Sequence, residues 1–397
     1  MRSPYRAFCA GIVLLALAGC APVLGLDENY YVIAGANSGG GTSSAGTASA
    51  SGMGGVAESG ASGVAGANGG GAGLMIPPGK LVFERYSTYD AGDSQMFIVT
   101  FPDLSIGSDL GAMYGLCSPL NGIFSPDGRY LTLGATIRGD GPCPVLDRSQ
   151  LEIFILDLDN PGQKQQVTNN MVPDEDTQYS PDGSYLLFKH DGNLARWVVG
   201  ADGFDEACND PNASYCFNHD YATANTTEQS KPVTDGKGLV CYGWGNSGDT
   251  TADIFCFELA DGLAGKDITD PAVRLPAIVH ASLSDARPVI AAPYLYFTRW
   301  RSPTSKVNEI GRTLLSDITG TQNIAAFCTD PGVGYEDAFS LDGADTVVFS
   351  SNANGLGKGD LFIGNFSEPA SQSVNDFVPG VNTPNDELGA AFWRAPD

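Results

Sequence analysis

The sequence predicts an all-β protein, a six-bladed β-propeller with four antiparallel strands in each blade. Three observations support this prediction: a repeat of about 53 residues, an Asp-Gly turn signal in the better copies, and incomplete blades at both ends of the repeat region. A near-constant period of this size is typical of stacked or radial repeats. The repeat region, residues 80–397, is 318 residues long and so accommodates six units of 53, with seven blades as the alternative.

The two strongest copies of the repeat are residues 124–131 and 179–186. Both read aromatic-Ser-Pro-Asp-Gly and continue into an apolar strand. Asp-Gly between two such runs predicts a hairpin, because both residues tolerate a positive φ. Weaker copies, two of them placed by spacing alone, begin at Pro232, Pro288, Phe339 and Phe392. Successive copies start 55, 53, 56, 51 and 53 residues apart, and further turns are expected at residues 202–203 and 261–262.

The two ends of the repeat region complement each other. Residues 80–83 match a second strand and residues 95–98 a third strand, so the first blade lacks its opening strand. Residues 388–393 supply a single first strand at the C-terminus. Pairing these pieces would close the ring and remove two exposed sheet edges.

The Ser-Pro-Asp-Gly segments with a trailing apolar strand resemble the WD-like repeats of the TolB propeller. The resemblance covers most of residues 80–397 and implies the same propeller fold. The motif itself is structural, since Asp and Gly form the turn and Pro stiffens its entry. TolB carries an α/β domain ahead of its propeller, whereas this chain has a Gly/Ser-rich stretch there. A role in the Tol–Pal system therefore does not follow.

The N-terminus, residues 1–19, has the pattern of a lipoprotein signal peptide. Two arginines precede an apolar run over residues 7–18, which is shorter than the roughly 20 residues that a membrane-spanning helix needs. Leu17-Ala18-Gly19-Cys20 resembles a bacterial lipobox, which makes Cys20 the expected lipid attachment site. By resemblance to lipoprotein sorting, Ala21 favours the outer membrane.

Residues 20–79 are expected to form a tether between the lipid and the folded head. From about residue 37 to residue 73 the chain is almost entirely Gly, Ala and Ser. Such a composition cannot bury enough apolar surface to offset its ordering entropy, so a random coil is expected. A short stretch, residues 24–34, contains Tyr30, Tyr31, Val32 and Ile33 and is expected to dock weakly at most.

Composition narrows the class of function. The formal net charge of -25 argues against nucleic-acid binding, which concentrates Lys and Arg. Seven cysteines remain once Cys9 leaves with the signal and Cys20 carries lipid. In an oxidising compartment they favour disulfides, although sequence does not fix connectivity. Pairing by proximity gives Cys117–Cys143, Cys208–Cys216 and Cys241–Cys256, with Cys328 left over.

The start of each innermost strand of such a propeller faces the mouth of the central channel. The candidate mouth residues, three before each aligned position or nearest to it in the closing blade, are Asn121, Asp176, Gln229, Asp285, Glu336 and Glu387. Most are acidic, so they could hold a cation or the basic end of a peptide or protein. The alternative is that they cap strands and face water.

No catalytic motif is found in the sequence: a nucleophile elbow, an HExxH motif and a phosphate loop are all missing. The three histidines lie far apart in the chain, so no cofactor or metal site is predicted. The alternative is Ca²⁺ binding by the carboxylates of Asp249 and Asp253. The sequence favours a non-enzymatic scaffold, tethered in the cell envelope, that binds a protein or peptide. The alternative is a propeller enzyme, a lyase or hydrolase acting on polysaccharide.

Overall fold

The structure, a computed structural model, describes residues 76–88, 91–208, 210, 212–217, 228–245, 253–278, 285–302, 305–318, 325–327, 334–353, 359–367 and 370–396. The strands in these ranges are β1 (Gly79–Tyr86), β2 (Gln95–Phe101), β3 (Ser105–Ile106), β4 (Leu116–Phe124), β5 (Tyr130–Ile137), β6 (Glu152–Asp157), β7 (Lys164–Gln166), β8 (Asp174–Tyr179), β9 (Tyr185–His190), β10 (Asn193–Val198), β11 (Ser214–Cys216), β12 (Glu228–Thr234), β13 (Leu239–Gly245), β14 (Asp253–Glu258), β15 (Leu275–Ile278), β16 (Asp285–Ala291), β17 (Tyr294–Ser302), β18 (Ser305–Leu314), β19 (Ala325–Phe327), β20 (Tyr335–Ser340), β21 (Thr346–Ser351), β22 (Asp360–Asn365), β23 (Ala370–Ser373) and β24 (Asp386–Arg394). Two short helices are α1 (Leu110–Tyr114) and α2 (Leu259–Leu263).

These strands form six antiparallel four-stranded sheets, which confirms six blades rather than seven. Blades 1 to 5 use consecutive strands, from β4–β7 to β20–β23, and blade 6 has the order β24-β1-β2-β3. Adjacent blades contact each other through their first strands, which therefore surround the central channel. The outermost strands contain only two to four residues, a length that limits pairing with other chains.

The predicted closure of the ring is confirmed. β1 pairs with β2 on one side and with β24 on the other, so that Leu81 lies opposite both Val99 and Phe392. The last strand, β24, thus becomes the innermost strand of blade 6, the blade that also contains β1 to β3. Residues about 310 positions apart in sequence are joined in one sheet.

The Ser-Pro-Asp-Gly segment forms the turn between the first and second strands, as predicted. In blade 1 the Asp127 carboxylate accepts the Arg129 amide at 3.1 Å, and Gly128 has a φ of 69°. Blade 2 repeats the arrangement with Asp182 and Gly183. We call the face that carries these first-to-second-strand connections the turn face.

One predicted turn is wrong. Residues 261–262 lie inside helix α2. A Cβ atom on Gly262 would lie 2.7 Å from the Phe257 ring and 2.8 Å from the Phe217 ring. Glycine is therefore needed here to let the helix approach two buried aromatic rings, and its turn propensity is not used.

The core is divided into apolar clusters that lie between neighbouring blades. Between blades 1 and 2, for example, Ile153 packs with Phe188 and Trp197, all three with no solvent exposure. The three proximity pairings of cysteines are present as disulfides: Cys117–Cys143, Cys208–Cys216 and Cys241–Cys256. Cys328 lies outside the described residues, as do Cys20, the signal and tether region as far as residue 75, and Asp249.

Candidate functional site

Each innermost strand has a residue in the left-handed region at the same structural position, where pairing with the second strand is interrupted by a bulge. Strand β4 has a second such residue, Ser118, at a further bulge. Bulges redirect a side chain relative to the regular sheet. Here they direct one residue from each blade towards the channel axis. We call this set the channel ring; its members are Asn121, Asp176, Lys231, Arg287, Asp337 and Gly389.

The charged members of the channel ring pair with one another. Lys231 Nζ lies 3.2 Å from Asp176 Oδ1, and Arg287 Nη1 lies 3.0 Å from Asp337 Oδ1. Asn121 joins the first pair, because its Nδ2 donates to Asp176 Oδ1 at 3.0 Å while Lys231 Nζ donates to its Oδ1. Two acids and two bases cancel, so the ring side chains themselves carry no net charge.

Gly389 contributes no side chain, and a residue of the neighbouring strand takes its place. Glu84 on β1 is only 2% exposed, and its Oε1 accepts the backbone N–H of Asn121. A Cβ atom on residue 389 would lie 2.4 Å from this oxygen. The missing side chain of Gly389 therefore makes room for the Glu84 carboxyl group.

The buried carboxyl groups of the channel differ in pKa. Burial raises the pKa of Glu84 to about 7, although the Asn121 amide and the Lys231 charge act in the opposite direction. Burial also acts to raise the pKa of Asp176, but the charges of Lys231 and Lys189 outweigh it and the pKa lies below its usual value. Of these two carboxyl groups, Glu84 is therefore the one with a pKa near neutral pH, and Asp176 stays ionised.

The pKa of Glu84 predicts a pH-dependent stability. The folded pKa exceeds the unfolded value, so the folded state holds the proton more tightly and stability falls as pH rises from about 4.5 to about 7. Glu84→Gln cannot ionise. We expect its free energy of unfolding to gain about 2 to 3 kcal/mol over wild type between pH 5 and pH 8.

Urea unfolding of both proteins at the two pH values measures this gain. The surface substitution Glu258→Gln serves as the control for loss of one carboxylate, and its difference from wild type should stay constant. An equal difference at pH 5 and pH 8 for Glu84→Gln would show that the carboxyl group is not buried in the folded protein.

The ring encloses a small cavity of about 70 Å³, room for a few water molecules. A second and larger cavity of about 210 Å³ opens towards the turn face, and Ile123, Gln178 and Phe339 line both. We call the larger one the turn-face funnel. Its lining is mixed. Tyr179, Phe339, Trp393, Pro126 and Pro181 offer aromatic and apolar surface, and the polar groups belong to Ser125, Gln178, Ser180, Thr234 and Arg394.

The structure brings two of the predicted mouth residues, Asn121 and Asp176, into the ring. Gln229 lies two residues before the ring and is 2% exposed, with its Oε1 accepting the Leu194 amide at 3.2 Å. Glu387 is fully buried and binds Arg85 at 2.9 Å. Gln229 thus bonds to the neighbouring blade and Glu387 bonds within its own blade, and neither lines the ring cavity or the larger cavity beside it.

Asp285 lies in β16, two residues before Arg287, and Glu336 lies in β20, one residue before Asp337. The side chains of Asp285 and Glu336 lie outside the described part of the structure. Sequence reasoning missed Lys231, Arg287 and Asp337. A usable signal was present, since Lys231-Pro232 and Arg287-Pro288 share a basic residue before proline at the start of two weak repeats.

Comparison with known proteins is limited to distant structural similarity. No protein-family model and no curated protein matches the sequence. Among solved structures, the chain is similar to a prolyl endopeptidase, with 11% identity and a TM-score of 0.45 over 74% of this chain and 40% of that chain. It is similar to the tricorn protease with 14% identity and a TM-score of 0.46 over 75% of this chain and 26% of that chain. It is also similar to a TolB protein from Agrobacterium tumefaciens, with 14% identity and a TM-score of 0.44 over 82% of this chain and 100% of that chain. The chain thus spans less than half the length of the two proteases.

The six sheets and the ring define the class of this protein directly. It is a six-bladed β-propeller whose channel is narrowed by paired charges and opens on one face as a funnel lined by aromatic and polar side chains. Within the described ranges, no helix is long and apolar enough to cross a membrane. In the same ranges, no three His, Cys, Asp or Glu side chains are grouped to hold a metal ion.

Proposed function

We propose that this chain is a lipoprotein anchored in the outer membrane of the cell envelope, whose propeller is a non-enzymatic scaffold for an envelope protein or peptide. The binding mouth is the turn-face funnel, which lies where the innermost strands end and not at their start, where the sequence placed the mouth. The observation that carries the proposal is the funnel itself: a concave cavity that combines aromatic and apolar surface with convergent polar groups, held on a closed ring.

The channel ring supports this choice of mouth. A ligand that enters from the turn face first meets a mixture of aromatic, apolar and polar side chains, Arg394 among them, and beyond Gln178 it meets the ion pairs of the channel ring. Breaking those pairs would leave buried charges uncompensated, which is costly. Insertion of an apolar side chain to the depth of Gln178 is therefore favoured over threading of a chain through the propeller.

The tether supports the envelope location. The lipobox at Cys20, the long Gly/Ala/Ser-rich stretch and the three disulfides all suit an exported protein on a membrane surface. Wild-type protein should fractionate with membranes and incorporate labelled palmitate, and Cys20→Ser should abolish both. Membrane fractionation of Cys20→Ser equal to wild type would contradict lipid anchoring at this residue.

The binding mouth is tested with the full-length Cys20→Ser chain. Peptides selected against it from a random display library supply the probes, and their Kd values are measured by titration. Gln178→Lys places a charge at the deep end of the funnel and should weaken binding at least tenfold.

The matched control is Met171→Lys, which adds the same charge at a residue that is 78% exposed and does not line the funnel. This variant should bind within twofold of the parent. Equal affinities for both variants, or failure to select any binder below about 100 µM, would count against the funnel as a binding mouth.

A further inference from the structure

We propose that the chain's own tether occupies the turn-face funnel when no partner is bound, through Tyr30, Tyr31, Val32 and Ile33. We call these four residues the tether patch; they lie outside the described part of the structure. The inference rests on the proposed function in one respect, because it takes the funnel to be the binding mouth. It adds an occupant and a form of regulation.

The tether enters the head at the rim of the funnel. The Ala395 amide donates to the Pro78 carbonyl at 2.9 Å, and Gly79 lies opposite Arg394, which lines the funnel. Neighbouring strands are about 4.8 Å apart, so the point of entry is only one strand outside the innermost strand. The tether therefore leaves the head on the face where the funnel opens.

The tether patch differs from the rest of the tether in composition. Tyr30 and Tyr31 are the only aromatic residues between Cys20 and Ile76, and Val32 and Ile33 follow them directly. The remaining sequence up to the head is dominated by Gly, Ala and Ser. Four consecutive aromatic and β-branched residues supply apolar surface that such a sequence does not otherwise offer.

The funnel matches one aromatic side chain in size and chemistry. A cavity of about 210 Å³ can take a single large ring, not a folded element. Phe339 and Trp393 offer aromatic surfaces, which pack well against another ring in an offset or edge-on arrangement. Gln178 and Thr234 offer polar atoms to a phenol hydroxyl, which needs a partner when buried.

The length of the tether makes weak docking sufficient. Ile33 and Ile76 are 43 residues apart, and a Gly/Ser-rich chain of that length has an r.m.s. end-to-end distance of about 36 Å. This gives an effective concentration on the order of 10 mM at the rim. A contact with a Kd of about 1 mM would then be roughly nine-tenths occupied.

Docking would have two consequences. A partner would have to displace the patch, so its apparent affinity would fall about tenfold. The chain between Cys20 and its first contact with the head would also shorten, from 56 residues at Ile76 to 10 residues at Tyr30. Partner binding would therefore release the head from close to the membrane.

Docking is tested on the full-length Cys20→Ser chain labelled with ¹⁵N at tryptophan. The four tryptophans give four indole signals, and Trp393→Phe identifies the signal from the funnel. Tyr30→Ser/Tyr31→Ser should shift the Trp393 signal, whereas the matched tether change Val56→Ser/Val64→Ser should not. A synthetic peptide of residues 24–34 at millimolar concentration should reverse the shift.

An unchanged Trp393 signal in the tyrosine double variant would overturn self-docking. So would a shift that depends on protein concentration, since that would identify a second copy as the occupant. The signal requires no partner, so its failure leaves the scaffold proposal standing. If docking holds, the tyrosine double variant should also bind the selected peptides about tenfold more tightly, and the Val56→Ser/Val64→Ser control should not.

Discussion

Lys231→Met is expected to lower the free energy of unfolding by about 3 kcal/mol, because it leaves the Asp176 carboxylate buried without its ion-pair partner. Asp176 is 4% exposed and also accepts a hydrogen bond from Asn121 at 3.0 Å. Met keeps most of the length and apolar surface of the lysine side chain. The loss of unfolding free energy therefore measures the effect of removing the lysine charge.

The double variant Asp176→Asn/Lys231→Met removes both charges and should recover most of the loss. Urea unfolding of the two single variants and the double variant forms a cycle that isolates the pair. A double variant as unstable as the sum of the single variants would show that Lys231 and Asp176 are not coupled across the channel.

Gly389→Val is expected to cost about 3 kcal/mol or more. The position has a φ of 60°, which a β-branched residue adopts only with strain, and its Cβ would lie 2.4 Å from Glu84 Oε1. Gly139→Val is the matched control, because a Cβ there meets nothing within 4 Å. Thermal or urea unfolding should place this control within about 0.5 kcal/mol of wild type.

A rescue experiment separates the clash from the backbone strain. Glu84→Ala removes the carboxyl group with which a valine side chain at position 389 would clash. The double variant Glu84→Ala/Gly389→Val should therefore lose less stability than the sum of the two single variants. Strict additivity would show that Glu84 does not occupy the space above residue 389. If Gly389→Val lowers the free energy of unfolding as little as Gly139→Val does, residue 389 does not occupy its place in the channel ring.

The fold was predictable because its main determinants are local and repeated. The Ser-Pro-Asp-Gly turns specify hairpins through Asp side-chain acceptors and glycine at positive φ, as seen at Asp127 and Gly128. Closure could be inferred from incomplete blades at the two ends, since an unpaired innermost strand has few other places to pair.

The channel ring was only partly predictable because the distance from bulge to turn is not constant. Asn121 and Asp176 each lie six residues before the turn Asp of their blades, at Asp127 and Asp182. In blade 3, however, Lys231 lies four residues before Asp235. Aligning the weak copies on their turns therefore misplaces the predicted ring position by up to two residues. In blades 3 and 4 this shift selects Gln229 and Asp285 in place of Lys231 and Arg287.

Glu84 could not be found by any alignment of first strands. It belongs to a second strand, and its carboxyl group reaches the channel only because Gly389 has no side chain. The pairing of β1 with β24 brings these two residues together from opposite ends of the repeat region. This tertiary contact is what brings a carboxyl group of blade 6 to the channel.

Solution NMR of the full-length Cys20→Ser chain tests the central claim, the closed six-bladed ring, most directly. We predict cross-strand NOEs between Leu81 and Phe392 and between Arg85 and Glu387, the pairs that join β1 to β24. Absence of these NOEs, together with amide exchange in residues 386–394 at the rate of an unpaired strand, would contradict the closed ring.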